Sequence, residues 1–218
     1  DSASVKVWSG DDAVLAEAII GRPSARFFDG RVSGTYIREP GTNNVWLVTG
    51  VTNVQTRLVP WLRRDIVKIA ANRVAKVSIG EGLGSYTLSR TSASEKTFSM
   101  TGGPPGRELD GGKAAKISRA LASVELEDVR PRDDIVVPSN ATISSVSTFD
   151  GMTVNVRLFE FNRKKWANFE AMYTGDGSDQ SDEAQASRAR VDEFNKRVDG
   201  WTYWIPSATF KNLTRPLE

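Results

Sequence analysis

The chain contains neither cysteine nor histidine among its 218 residues. Without cysteine there is no disulfide framework, no thiol nucleophile and no Cys-rich zinc site. Without histidine there is no Ser-His-Asp triad and no His-containing zinc site. Haem and non-haem iron held by either residue type are excluded as well. An oxidising compartment would therefore bring the fold no stabilising cross-link. Long apolar runs are also missing, since no stretch approaches the roughly 18 to 20 residues that cross a bilayer. Neither charge sign dominates: 29 basic residues face 27 acidic ones, with a pI near 8.9. That balance supplies no strong field for nucleic acid, and no nucleic-acid partner is expected. What chemistry remains would have to run on Asp, Glu, Lys, Tyr, Ser and Thr.

What is present is ordinary for a folded soluble protein: 39% hydrophobic and 26% charged residues. At roughly 150 residues per domain, the length suits one large domain or two small ones. The chain begins at Asp1 rather than at a methionine, as a processed or shortened chain does.

Strand patterns fill the first sixty residues. Val5-Lys6-Val7-Trp8 and Thr35-Tyr36-Ile37-Arg38 alternate apolar with polar or charged residues, and Val45-Trp46-Leu47-Val48 is denser. Pro40-Gly41-Thr42-Asn43-Asn44 reads as a hairpin loop, and residues 53–69 as a short helix or turn. A second meander spans residues 74–79, 86–90 and 96–100. Asp110 then caps a helix with Ala114, Ile117, Leu121 and Val124 on one face. A third meander covers 143–149, 152–161 and 166–173, turning at Asp150-Gly151 and at 162–165. A helix over 181–198 follows, stopped by Gly200. Residues 201–205 read as extended, and 206–217 as a final helical turn.

The expected fold is therefore α+β, with antiparallel β-meanders each followed by a helix. Three (or two) such units, read as 1–70, 71–138 and 139–218, would pack into one or two compact domains. The echo of Phe28-Asp29-Gly30 in Phe149-Asp150-Gly151 hints at duplication.

Few residues promise chemistry. Gly80-Glu81-Gly82-Leu83-Gly84 looks like a phosphate loop, but a strand follows it and no Gly-Lys-Ser stands near, so a hairpin turn is expected. The run from Asp176 to Glu183 offers oxygen ligands without the glycine and final acid of a calcium loop, and reads as a linker; no metal site is expected. Asp65, Glu81, Glu108, Asp110, Asp128, Asp133 and Asp134 could serve a carboxylate-based hydrolase, yet no spacing pairs them. No catalytic residue and no cofactor is assigned. Arg63-Arg64, Arg130-Pro131-Arg132 and Arg163-Lys164-Lys165 are short and sit at element ends.

The six tryptophans say most. Core packing is the expectation for Trp8, Trp46, Trp61, Trp166, Trp201 and Trp204. The stretch Trp201, Tyr203 and Trp204 is also the candidate binding site. Alternation sends the first two to one face and the third to the other, so one face could be an exposed aromatic patch.

The string from Gly34 to Gly41, then Val45-Trp46-Leu47-Val48, Trp61-Leu62-Arg63-Arg64-Asp65 and the ending Gly200-Trp201-Thr202-Tyr203-Trp204-Ile205-Pro206 resemble domain-of-unknown-function family 4340. So do Val74-Ala75-Lys76-Val77-Ser78-Ile79 and Leu126-Glu127-Asp128-Val129. The resemblance implies a bacterial protein with an N-terminal membrane helix, encoded beside a gliding-motility-type ABC exporter. It supplies no activity and no catalytic residues. It implies a tether upstream of Asp1 and a periplasmic or extracytoplasmic domain anchored to the inner membrane. The expected role is a non-enzymatic interaction or scaffold domain whose partner is a membrane protein, with ABC transporter subunits the candidates. A carbohydrate- or cell-wall-binding module is the alternative, and a carboxylate-based hydrolase the second.

Overall fold

The computed structural model describes residues 2–27, 32–50, 54, 59–82, 84–103, 106 and 110–215. The chain divides into two compact units, residues 1–62 and 63–218. The Phe28-Asp29-Gly30 half of the echo, Glu108, and residues 53 and 55–58 of the expected helix or turn lie outside the described residues.

The first unit is one antiparallel sheet in chain order: β1 (Ala3–Trp8), β2 (Val14–Phe27), β3 (Val32–Arg38) and β4 (Val45–Thr49). The loop over 40–44 joins β3 to β4, where Arg38 lies opposite Val45. β1 pairs with β2 from Ala3 opposite Ile20 to Trp8 opposite Val14, and the register slips between Val7 and Trp8. Among the described residues the unit has no α-helix, only a 3-10 turn at Val59–Trp61.

The second unit opens on β5 (Asp65–Val67), so the end of the expected helix or turn is extended instead. β5 pairs with β9 (Val124–Glu125) in a two-stranded ribbon. The main sheet takes β6 (Val74–Ile79), β7 (Tyr86–Ser89) and β8 (Ser99–Gly102) from the second expected unit. It adds β10 (Asp128–Pro131), then β11 (Thr142–Thr148), β12 (Met152–Phe161), β13 (Lys164–Tyr173) and β14 (Trp201–Trp204). Its order is β10-β14-β13-β12-β11-β6-β7-β8, with all pairs antiparallel. Residues 71–138 and 139–218 thus contribute to one eight-stranded sheet, joined where β6 meets β11 and where β10 meets β14.

Period-two burial explains why this sheet forms. On one face stand Val77, Ile79, Leu88, Val146, Val154, Val156, Leu158, Ala167 and Phe169, all buried. Three helices cover them: α1 (Gly111–Ser118), α2 (Asp182–Val198) and α3 (Ser207–Leu213). The Asp110 carboxylate caps α1 through the Gly112 N–H at 2.6 Å. α1 ends at Ser118, so Leu121 and Val124 are buried beyond it rather than as its third and fourth turns. α2 starts from a Ser181 cap, with Val191, Phe194 and Val198 inward as spaced.

Two turns fix the strands of the long hairpins. β12 and β13 close through Asn162 and Arg163 alone, both at positive φ (50° and 61°), while Phe161 lies opposite Lys164. This is the two-residue hairpin geometry that matches strand twist. Lys164 and Lys165, expected in that turn, belong to β13. At the other end Gly151 has φ of 84°, and a Cβ there would lie 2.8 Å from the Tyr173 ring. Only glycine fits, and it presents Asp150 beside it.

The architecture is α+β with antiparallel sheets. The three-strand-then-helix order is present twice, as β6–β8 then α1 and as β11–β13 then α2; the described residues of the first unit hold four strands and no α-helix.

Candidate functional site

The side of the eight-stranded sheet opposite the helices carries the polar half of each alternating strand. Pairing aligns these residues in rows across the strands. One row runs Thr101, Thr87, Ser78, Ser145, Asn155 and Glu170 over β8, β7, β6, β11, β12 and β13. The next passes through Ile143, Arg157 and Asn168, whose amide donates to Thr202 Oγ1 at 2.7 Å and to the Trp201 carbonyl at 3.2 Å. Ser78 and Thr87 hydroxyls meet at 3.1 Å. Donors and acceptors share this face with Ile143 and with the apolar cluster of Phe159, Trp166 and Trp204.

A groove with a cavity volume of about 990 Å³ is lined by this face and extends past β13 to α2. One wall is the C-terminal half of α2, through Asp192, Asn195 and Lys196, with Asp199 just past its end; Glu81 and Arg132 also line it. Asn195 is fixed there by both amide atoms: its Oδ1 accepts from the Ala171 N–H and its Nδ2 donates to the Ala171 carbonyl, each at 2.8 Å. The arrangement can hydrogen-bond a polar ligand along its length. Its aromatic member is Phe169, buried beneath α2 against Tyr203 with ring centroids 5.9 Å apart. Sequence reasoning took β11–β13 as a meander and passed over Asn155, Arg157 and Asn168. Their alternation with buried valines was the available signal.

The three expected binding residues do not share a surface. Trp201 is exposed. Tyr203 is buried, and its hydroxyl donates to the Arg197 carbonyl at 3.3 Å. Burial pushes its phenol above the ordinary value, more than the opposing charges of Arg197 and Arg132 lower it. Trp204 lies on the other face, packed with Ile135, Phe159 and Trp166 in a small cluster, and Lys164 Nζ sits 4.1 Å from its ring centroid.

The core-packing expectation holds for Trp166, 3% exposed, and fails for Trp8 (55%), Trp46 (46%), Trp61 (68%) and Trp201 (42%). Trp8 and Trp46 stand on the outer strands of a four-stranded sheet that has no covering α-helix among its described residues. Val7, Val14, Leu15 and Val45 are exposed with them. β4 pairs only with β3 among the described residues, and Val45-Trp46-Leu47-Val48-Thr49 carries no charge or proline. β1 differs, because Lys6 interrupts it and pairs with Glu17 at 3.1 Å. An uncharged open edge is a template for a further strand.

The carboxylates disperse. Glu81 lines the groove, Asp65 lines a separate cleft, and Asp110 caps a helix. Asp128 accepts from its neighbour Val129 N–H and meets Arg130 at 3.6 Å. Asp133 and Asp134 form the 3-10 turn Arg132–Asp134. Among the described residues no group of three or more Asp or Glu could hold a metal ion. The expected hairpin turn at 80–84 is present, closed by Ser85 N–H on the Gly82 carbonyl at 3.2 Å; Leu83 lies outside the described residues. The acidic linker folds on itself through Asp176 and Asp179, each accepting from a backbone N–H two residues on. Among the described residues no helix is long and apolar enough to cross a membrane.

The sequence model of one family matches residues 2–142: Domain of unknown function (DUF4340). No curated protein and no solved structure matches.

Proposed function

The chain belongs to the DUF4340 family, and from that premise we propose that it is a non-enzymatic interaction module of a membrane-anchored, extracytoplasmic protein working with an ABC-type export system. The observation that carries the interaction role is β4. It is an uncharged edge strand bearing exposed Val45 and Trp46, the form in which a partner chain adds a strand through main-chain hydrogen bonds. Exposed aromatic and aliphatic side chains beside such an edge supply the anchors of a protein interface. The partner in this reading is a membrane protein, with the exporter's subunits the first candidates.

Site-specific photo-crosslinking in the full-length protein in its own membrane tests it. A crosslinker replacing Trp46 should join a tagged exporter subunit, and Val48→Lys should abolish the adduct by putting charge on the edge. No adduct, or an equal one from exposed Lys211, would remove the reading.

A second reading has its own observation. The groove over β6 and β11–β13 offers Asn155, Asn168 and Asn195 amides together with Arg157 and Glu170, a set suited to sugar hydroxyls. Among its described lining residues there is no exposed ring on which a sugar would stack, so it ranks below the interface. Glycan titration with Asn155→Ala and Asn168→Ala variants separates the two readings. Within the interaction reading, β6–β8 with α1 and β11–β13 with α2 are two copies of one unit that share a sheet.

A further inference from the structure

A second cleft in residues 63–218, of about 200 Å³, shares no lining residue with the groove. It lies among β5, the entry to β6 and α2. Five cations line it: Arg63, Lys68, Arg73, Arg190 and Arg197. Two carboxylates, Asp65 and Glu193, line it with them. In a chain whose basic and acidic residues nearly cancel, this is a concentrated positive excess. Buried Ile66, Met152 and Phe194 also line the cleft, so part of its surface is apolar. Fields from grouped charges are stronger over such surface than in open water.

Three of the cations, Arg73, Arg190 and Arg197, are held by hydrogen bonds. Arg190, Glu193, Phe194 and Arg197 stand at i, i+3, i+4 and i+7 of α2, one stripe of the helix. Arg73 Nη2 donates to Asp150 Oδ2 at 2.6 Å, and Arg190 Nη2 donates to the same oxygen. One carboxylate thus keeps two guanidinium groups side by side, with its own side chain 11% exposed. Each guanidinium has five N–H donors, so both retain donors for a second acceptor. Arg197 Nη2 donates to the Ile66 carbonyl at 2.8 Å, while its buried Nε has no acceptor among the described residues. Arg73 and Arg190 share the single carboxylate of Asp150, which leaves that pair one positive charge in excess. With Arg63, Lys68 and Arg197 the described lining adds Asp65 and Glu193, so negative charge still falls short of positive.

We propose that this cleft is an anion site that takes a phosphate group, with Arg73 and Arg190 as its fork and Arg63, Lys68 and Arg197 around it. A phosphate group with several acceptor oxygens matches multiple guanidinium donors better than a single carboxylate does. The cleft is smaller than the ~300 Å³ at which pockets for drug-sized ligands begin. A compact group enters, free or borne on a lipid headgroup, and a larger body stays outside. The site stands independently of β4 and of the groove.

Calorimetric titration of the 218-residue chain with inorganic phosphate at low ionic strength tests the proposal. Arg63→Gln with Lys68→Gln is the informative variant, because it leaves the Asp150 pairs intact and circular dichroism can verify its fold. Lys116→Gln, exposed on α1, reports the general effect of losing a charge. The expected result is saturable binding at one site, weakened at least tenfold in the double variant and less than twofold in Lys116→Gln. Absence of saturable binding, or equal weakening by Lys116→Gln, overturns the proposal. Co-sedimentation with phosphatidylcholine vesicles, with and without phosphatidylglycerol, separates the sources. Sedimentation that needs phosphatidylglycerol, Arg63 and Lys68, and that phosphate competes away, assigns the group to lipid. Phosphate binding without sedimentation assigns it to a soluble phosphate.

Discussion

Asp150 shows how much one side chain can carry here. Burial pushes its carboxyl up, but the hydrogen bond from Arg73 and the charges of Arg73 and Arg190 outweigh that, so it titrates below the ordinary value. A depressed carboxylate contributes stability that is present above the unfolded value near ~3.9 and is lost as pH falls through the lower folded value. Asp150→Asn should therefore lower stability at pH 7 by about 2 kcal/mol. The gap to the parent should close below about pH 4, where the unfolded carboxyl protonates. Thermal melts of both proteins from pH 3 to pH 7 would check this; a gap independent of pH would contradict it. Arg163 gives a prediction of opposite sign. At φ of 61° it holds a left-handed conformation disfavoured for a side chain with a Cβ. Arg163→Gly creates the Asn-Gly turn and should stabilise the protein by about 1 kcal/mol, read from urea unfolding. The turn was legible as a turn but not its length, because Lys164 and Lys165 read as loop until their pairing with Glu160 and Phe161 draws them into β13.

Elements follow the same logic with longer reach. Arg90, just after β7, donates Nε to the Val74 carbonyl at 2.8 Å, Nη2 to the Ala71 carbonyl at 2.7 Å and Nη1 to the Glu95 carbonyl at 2.6 Å. Its guanidinium also lies 4.9 Å from the Phe98 ring centroid and 5.5 Å from that of Phe149. It ties the β7–β8 loop to the entry of β6 and to the end of β11. Arg90→Lys keeps the charge and loses the fork, and should destabilise by about 2 kcal/mol in denaturant titration. Nothing in the sequence singles this arginine out, because its partners are backbone carbonyls contributed by distant turns. The strands themselves were legible, since alternation of valine with serine, threonine and asparagine is local. The helix after Asp110 was legible in place but not in length: Leu121 and Val124 keep helical spacing while the chain has already left the helix.

At the scale of the whole molecule the two units differ in how they are held. The second has a core of paired sheet and three helices, whereas among its described residues the first shows Ile20 as its buried apolar side chain beside many exposed ones. Hydrogen exchange on the intact chain should therefore find β1–β4 amides opening at lower free energy than those of β11–β13. Equal protection in the two units would contradict this. Tryptophan emission should likewise contain an iodide-quenchable, red-shifted part from Trp8, Trp46, Trp61 and Trp201 beside a protected Trp166. By itself the sequence determined the absent chemistries, the family, the α+β class and nearly every strand of the meanders, because composition and period-two patterning act over a few residues. Only the tertiary structure decided that residues 71–138 and 139–218 share one sheet, that four tryptophans stay in water, and that Arg73 and Arg190 meet on Asp150. Those depend on strand partners and on faces chosen by contacts between residues distant in the chain, which no local pattern encodes.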